Sequence, residues 1–169
     1  MTRAQSIAAG LVLGSASLLA FLGKWEPDKQ NPGLVYADKL AGGKLTVCDG
    51  ITAAVTKTPL VLGEVWPAEK CRQEKAAALD AVQTRLLACF TVAPPQSVLD
   101  AGSEHAWNFG PRATCGSLAM KAWQLGEWSL GCRRMAVSDG GKRVWSYVKD
   151  ANGNKAFVRG LARRRDDAV

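Results

Sequence analysis

Leu34-Val35-Tyr36-Ala37-Asp38-Lys39-Leu40-Ala41-Gly42-Gly43-Lys44-Leu45-Thr46-Val47-Cys48 is the stretch on which the fold turns. Leu34-Val35-Tyr36 reads as one short strand and Leu45-Thr46-Val47-Cys48 as its partner, with Asp38 on the first strand just before the turn. Ala41-Gly42-Gly43-Lys44 between them has hairpin chemistry, because paired glycines accept the positive φ that tight turns demand. Upstream, Asn31-Pro32-Gly33 is a strong turn signal that isolates the hairpin from what precedes it. Downstream, a loop runs to Trp66-Pro67, where the proline suits the first turn of a helix. From Ala68 to Phe90 apolar residues recur at helical spacing, with Leu79, Val82, Leu86 and Phe90 on one stripe. Pro94-Pro95 breaks that helix, and Pro95 to Asn108 reads as another, stopped by Gly110. Further helices are expected at Cys115–Leu125, Trp128–Val137 and Lys155–Arg165, with a glycine-rich link at Asp139-Gly140-Gly141. The expected class is α+β and mainly α: a small lobe carrying a hairpin, a larger helical lobe, and a cleft between them suited to a polymer.

The chain of 169 residues is 47% apolar, enough for one compact domain with its own core. A formal charge of +7 favours a polyanionic partner. Nucleic acid is disfavoured, since there is no phosphate-cradling glycine loop, no zinc spacing and no basic helix interleaved with aromatics. Arg163-Arg164-Arg165, followed by Asp166 and Asp167, reads as the solvated end of a helix, with contact to a polyanion as the second reading.

The N-terminus bears on location. Arg3 precedes an uncharged run from Ile7 to Gly23 that Lys24 ends, the layout of a secretory signal. The run is at the short limit for crossing a bilayer and is diluted with Gly, Ala and Ser. An uncleaved, weakly held signal anchor is the favoured reading. A cleaved signal peptide and a buried helix of the domain itself stay open beside it. Five cysteines, with no Cys-x-x-Cys pair and one histidine, suit disulfides in an oxidising compartment better than a metal site. The favoured pairs are Cys48–Cys71 and Cys115–Cys132, with Cys89 left in the apolar run Leu86-Leu87-Ala88-Cys89-Phe90. Five reduced, buried cysteines are the alternative.

For chemistry, the lone His105 lies in a helix facing the core and reads as structural. Carboxylates are the better resource. Glycosidic cleavage needs one carboxyl that donates a proton to the leaving oxygen and a second, ionised one that activates water or steadies the developing cation. Glu26, beside Trp25 at the junction of the apolar run and the hairpin, suits the acid, because apolar surroundings keep a carboxyl protonated. Asp38 suits the second role, and Thr46 on the facing strand could hold a water against it. Spacing alone makes this a weak signal, since any aspartate exposed in a hairpin would look similar.

The ordered motifs add to it. Glu26, Tyr36-Ala37-Asp38 and Gly43-Lys44-Leu45-Thr46-Val47-Cys48-Asp49-Gly50 are similar to the signature of the phage-type lysozymes, glycoside hydrolase family 24. Ala106-Trp107-Asn108-Phe109-Gly110, Cys115-Gly116-Ser117-Leu118, Cys132-Arg133-Arg134-Met135 and Gly160-Leu161-Ala162-Arg163-Arg164-Arg165 extend the resemblance in order. Eleven residues separate Glu26 from Asp38 and seven separate Asp38 from Thr46, both longer than is usual in that family, and Ile51 stands where it has a histidine.

The resemblance implies a lysozyme-like fold and a muramidase acting on peptidoglycan without cofactor or metal. Glu26 would be the general acid, Asp38 the second carboxylate and Thr46 the residue that positions water. It also implies a signal-anchor-release endolysin. Residues 1–24 would be the anchor and 25–169 the catalytic domain, a monomer exported by the host secretion machinery. It would be held inactive at the inner membrane and become active in the periplasm on release. No cysteine precedes Cys48, so control of release would be steric rather than by disulfide exchange. The rivals are a lytic transglycosylase, which would leave an anhydro end, an inactive wall-binding protein of the same fold, and an unrelated anchored periplasmic protein that binds no glycan.

Overall fold

The computed structural model describes residues 10–25, 32–39, 42–149 and 153–168. Its order is α1 (Ala16–Trp25), β1 (Tyr36–Asp38), β2 (Lys44–Val47), β3 (Ile51–Thr52), α2 (Ala68–Leu87), α3 (Gln96–Phe109), α4 (Pro111–Cys115), α5 (Leu118–Trp123), α6 (Trp128–Ala136), β4 (Tyr147–Lys149), β5 (Lys155–Phe157) and α7 (Arg159–Ala168). The small sheet is antiparallel in the order β1-β2-β3, and β4-β5 form a separate hairpin. The architecture is α+β and mainly helical, as the sequence led us to expect.

Two apolar cores divide the molecule. One gathers Leu18 and Leu22 of α1, Val35, Val47 and Ile51 around the sheet, and Trp66, Leu79, Val82 and Trp107. The other gathers Leu86, Leu87, Phe90, Val98, Leu99, Met120, Trp123 and Met135. Helix α2, about 30 Å long at 1.5 Å per residue, enters both, so the stripe Leu79, Val82, Leu86 read from the sequence is the spine of the fold. It stops at Leu87, short of Phe90, because Cys89 N–H and Phe90 N–H turn to the carbonyls three residues back, at 2.9 and 3.2 Å. Two glycines sit where no side chain fits. A Cβ on Gly33 would meet the Trp66 carbonyl oxygen at 2.1 Å, and one on Gly131 would meet the Trp123 ring at 2.2 Å.

Further expectations need correction. Leu34 forms only an isolated bridge with Val65, and β1 begins at Tyr36. The single helix expected at Cys115–Leu125 is two: α4 ends at Cys115, and Ser117 starts α5 by accepting from Met120 N–H at 3.1 Å. Lys155–Phe157 is not helix but strand, paired with Tyr147–Lys149, and α7 starts at Arg159. The second disulfide, expected as Cys115–Cys132, also differs. Cys48–Cys71 forms as expected, but Cys89 bonds Cys115, and Cys132 is the free thiol. The reason is spatial: α4 returns against the end of α2, bringing the Cys89 and Cys115 Cα atoms to 5.8 Å. Cys132 instead lies half-buried by Trp123, and burial pushes its thiol pKa up.

The Arg163-Arg164-Arg165 run is not wholly solvated. Arg163 is exposed, but Arg164 and Arg165 are buried and both reach Glu104 Oε1 on α3. Helical period accounts for this: Leu161 shares a face with residues three and four further on, so that face turns inward against α3. Helix α1 packs through Leu18 and Leu22, while Leu19 stays exposed. No helix among the described residues is long and apolar enough to cross a membrane.

Candidate active site

Antiparallel pairing builds the wall of the site. Tyr36 pairs with Thr46, Asp38 with Lys44, and Thr46 with Thr52. Residues directly opposite share a face, and so do residues two apart on one strand. Tyr36, Asp38, Lys44, Thr46 and Thr52 therefore project together, and all five line a cleft of about 670 Å³. The other face sends Val47 and Ile51 into the core. The turn closes through Gly43 N–H to the Asp38 carbonyl at 2.7 Å, with Gly42 and Gly43 at φ 70° and 80°. Because Asp38 pairs with Lys44 and Tyr36 with Thr46, the longer spacing from Asp38 to Thr46 leaves the register of the wall regular.

The facing side is the end of α3, with Trp107, Asn108 and Phe109, continued by Pro111 and Arg112 of α4. Trp107 Nε1 donates to the Asp49 carbonyl at 3.1 Å and ties α3 to the sheet. Arg85, Cys89 and Cys115 close one end, so the Cys89–Cys115 disulfide forms part of the cleft wall. These helix-borne residues escaped sequence reasoning as site residues, although Trp107-Asn108-Phe109-Gly110 marked the helix end that carries them.

Of the residues singled out from the sequence, Asp38 and Thr46 come together on the wall and line the same cleft; Glu26 lies outside the described residues. Asp38 is half-buried and Thr46 buried. As diagonal neighbours across the strands they stand about 7–8 Å apart at Cα, which leaves space for a water between their oxygens. Thr46 Oγ1 donates to the Lys44 carbonyl at 3.3 Å. The contact is long for a hydroxyl, which can turn to accept from or donate to a water in the cleft.

Two other carboxylates, Asp49 and Glu104, are held by basic side chains. The Asp49 carboxylate takes Lys75 Nζ at 2.6 Å. Glu104 is 2% exposed and sealed by Arg164 and Arg165. With its oxygen turned to the guanidiniums, the Asn108 amide accepts from Arg164 Nε at 3.0 Å and Arg165 Nη2 at 3.2 Å, so this buried cluster orients a residue of the cleft. His105 is structural, as expected: it is buried, with Nδ1 2.8 Å from Thr114 Oγ1. The Thr114 hydroxyl donates to the Gly110 carbonyl at 3.2 Å, so the ring nitrogen must be the donor between the two. Burial, then the charges of Arg165 and Arg164, push the His105 pKa down to about 3. A second cavity of about 400 Å³ lies between α1, α3 and α7. One of its carboxylates, Asp100, is occupied by Ser15 and Gln96, which marks this space as a packing gap beneath α1.

Comparison with known proteins agrees with this geometry. The sequence model of the phage lysozyme family matches residues 32–168. No curated protein matches the sequence. Among solved structures, an endolysin from Escherichia coli O157:H7 phage FAHEc1 superposes with a TM-score of 0.74 at 21% identity, over 94% of this chain and 91% of that one. The muramidase domain of SpmX from Asticaccaulis excentricus gives 0.67 at 18% identity, over 94% and 95%. A mutant of P22 lysozyme gives 0.66 at 20% identity, over 94% and 97%. At such identities the structural likeness speaks for the fold, while the match over most of the sequence speaks for descent: the chain belongs to the phage lysozyme family and is a glycoside hydrolase.

Proposed function

We propose that this endolysin is a muramidase that hydrolyses the β-1,4 bond between N-acetylmuramic acid and N-acetylglucosamine in peptidoglycan. The observation that carries the reading is the shared face of Asp38 and Thr46 on the wall of the cleft. In the reaction, Glu26 protonates the leaving glycosidic oxygen as the general acid. Water attacks the anomeric carbon, giving one proton to Asp38 and holding its other hydrogen on the Thr46 lone pair.

The test is clearing of purified peptidoglycan by wild type and by Glu26→Gln. Wild type should clear it and the variant should lose about 10²–10⁴-fold, the range for removal of a general acid. Equal rates would remove Glu26 from the mechanism. No clearing by folded wild type would leave a wall-binding protein, and anhydro rather than reducing ends in the product would make the enzyme a lytic transglycosylase.

The second part of the reading concerns place. Residues 1–24 hold the enzyme, inactive, at the host inner membrane after export by the secretion machinery, and release frees it in the periplasm as an active enzyme. Support comes from the charges of Arg3 and Lys24 around a run diluted with small residues, and from helix α1, which buries little beyond Leu18 and Leu22. So slight an apolar face gives a bilayer and the domain comparable claims on the segment. Fractionation of expressing cells before and after collapse of the membrane potential should move the protein from the membrane to the periplasm. Recovery from the cytosol at both times would sink this part.

A further inference from the structure

We propose that the β4–β5 hairpin is a second glycan-binding surface, an arm that holds the peptidoglycan strand where it leaves the cleft; the proposal rests on the muramidase reading above. Tyr147 and Phe157 pair directly across the two strands, so their rings share a face. The rings lie edge to face with centroids 5.5 Å apart, yet they are 40% and 53% exposed. Lys155, Ala156 and Phe157 are all exposed. A two-stranded hairpin is marginal on its own, and one whose largest side chains face solvent gains little from burying them. The rings therefore call for an explanation other than core packing.

The base of the hairpin joins it to the site. Trp145, two residues before Tyr147, has φ 54°, in the left-handed region that bulky residues avoid. It is held there by packing against His105, with centroids 4.5 Å apart, and against Phe109 at 5.1 Å. Phe109 lines the cleft. Trp145, packed on a cleft residue, thus anchors the start of the hairpin that carries Tyr147 and Phe157. Backbone strain at functional positions follows this pattern, in which surrounding structure holds a conformation the residue would not choose.

The chemistry matches a glycan. Pyranose rings present faces of positively polarised C–H groups, which suit the negative faces of aromatic rings. Stem peptides along the strand carry carboxylates, and Lys155, two residues from Phe157, supplies an exposed cation. Aromatic residues beside lysine also suit a bilayer interface, but the hairpin's attachment through Trp145 to the cleft residue Phe109 favours the polysaccharide.

The experiment compares the full chain with Tyr147→Ala/Phe157→Ala in sedimentation with purified sacculi and in hydrolysis of short soluble muropeptide oligomers that occupy the cleft alone. Sacculus binding should weaken about tenfold, equivalent to about 1.4 kcal/mol, with kcat/KM on short oligomers and the melting temperature unchanged. Should the double variant melt early, Lys155→Glu replaces it, with the same direction expected. Unchanged sacculus binding would overturn the arm while leaving the muramidase reading standing. Loss of binding to phosphatidylglycerol vesicles with sacculus binding intact would overturn it in favour of a membrane contact. Failure of wild type to hydrolyse either substrate would overturn the muramidase reading and the arm with it.

Discussion

Asp38 on the β1–β2 wall and Glu104 under the α3–α7 junction are carboxylates held in opposite ways. Asp38 stands half-buried at the cleft, on a strand whose register sets its direction. Glu104 is 2% exposed and takes two guanidiniums on one oxygen. The first can meet a substrate and a water. The second can meet neither, and its environment commits it to holding α7 against α3. Under the proposed mechanism, carboxylates in one small protein divide between reaction and architecture according to which element carries them and how much water reaches them.

Three substitutions probe that division. The largest effect belongs to Asp38→Asn, which should lower kcat/KM on peptidoglycan by about 10²–10⁴-fold and leave the melting temperature in place. A variant that melts early with its rate intact would reverse the assignment. Glu104→Ala should do the opposite. It strands two buried guanidiniums, for which about 3–5 kcal/mol of destabilisation is expected, read in urea unfolding. A loss below about 1 kcal/mol would mean the guanidiniums find other partners or water, as at exposed pairs. The smallest effect concerns His105, between the two regions. Its folded pKa, pushed down to about 3, lies below the ordinary 6.5, so the unfolded chain takes up the proton first as pH falls. Stability is full above pH 6.5 and is lost as pH drops toward 3, by about 2 kcal/mol between pH 6.5 and pH 5. His105→Asn keeps a donor for Thr114 and should flatten that dependence; an unchanged slope would assign it to the carboxylates instead.

The same contrast explains what could be read in advance. The β1–β2 hairpin was legible because Gly42-Gly43 demands a turn and one of its two faces is buried, so its pattern carries a period of two. Helices α2 and α3 were legible from Pro67, Pro95, Gly110 and the stripe on α2. The β4–β5 hairpin was not, because Lys155-Ala156-Phe157 is exposed along its length and no buried face imposes alternation. Its one sequence signal was Asn152-Gly153, a turn pair overlooked beside the basic helix that follows. Charge alone makes Arg164 and Arg165 look like surface; only the helical period, which puts them on the face of Leu161, turns them inward. The Cys89–Cys115 pairing had no local signal, since connectivity follows from which helix returns against which. The candidate site divides likewise: strands placed Asp38 and Thr46 in view, while the side contributed by α3 and α4 depended on packing between distant segments.

Helix α2 gives both cores part of their substance, Leu79 and Val82 to one and Leu86 and Leu87 to the other. Neither lobe can melt and leave the other whole, because each would strip the spine of half its burial. Trp66 and Trp123 lie in different cores, 2% and 0% exposed, so tryptophan fluorescence samples both lobes. Heating should therefore produce one cooperative transition in that signal, and the cleft should vanish in a single step rather than gape before the molecule unfolds.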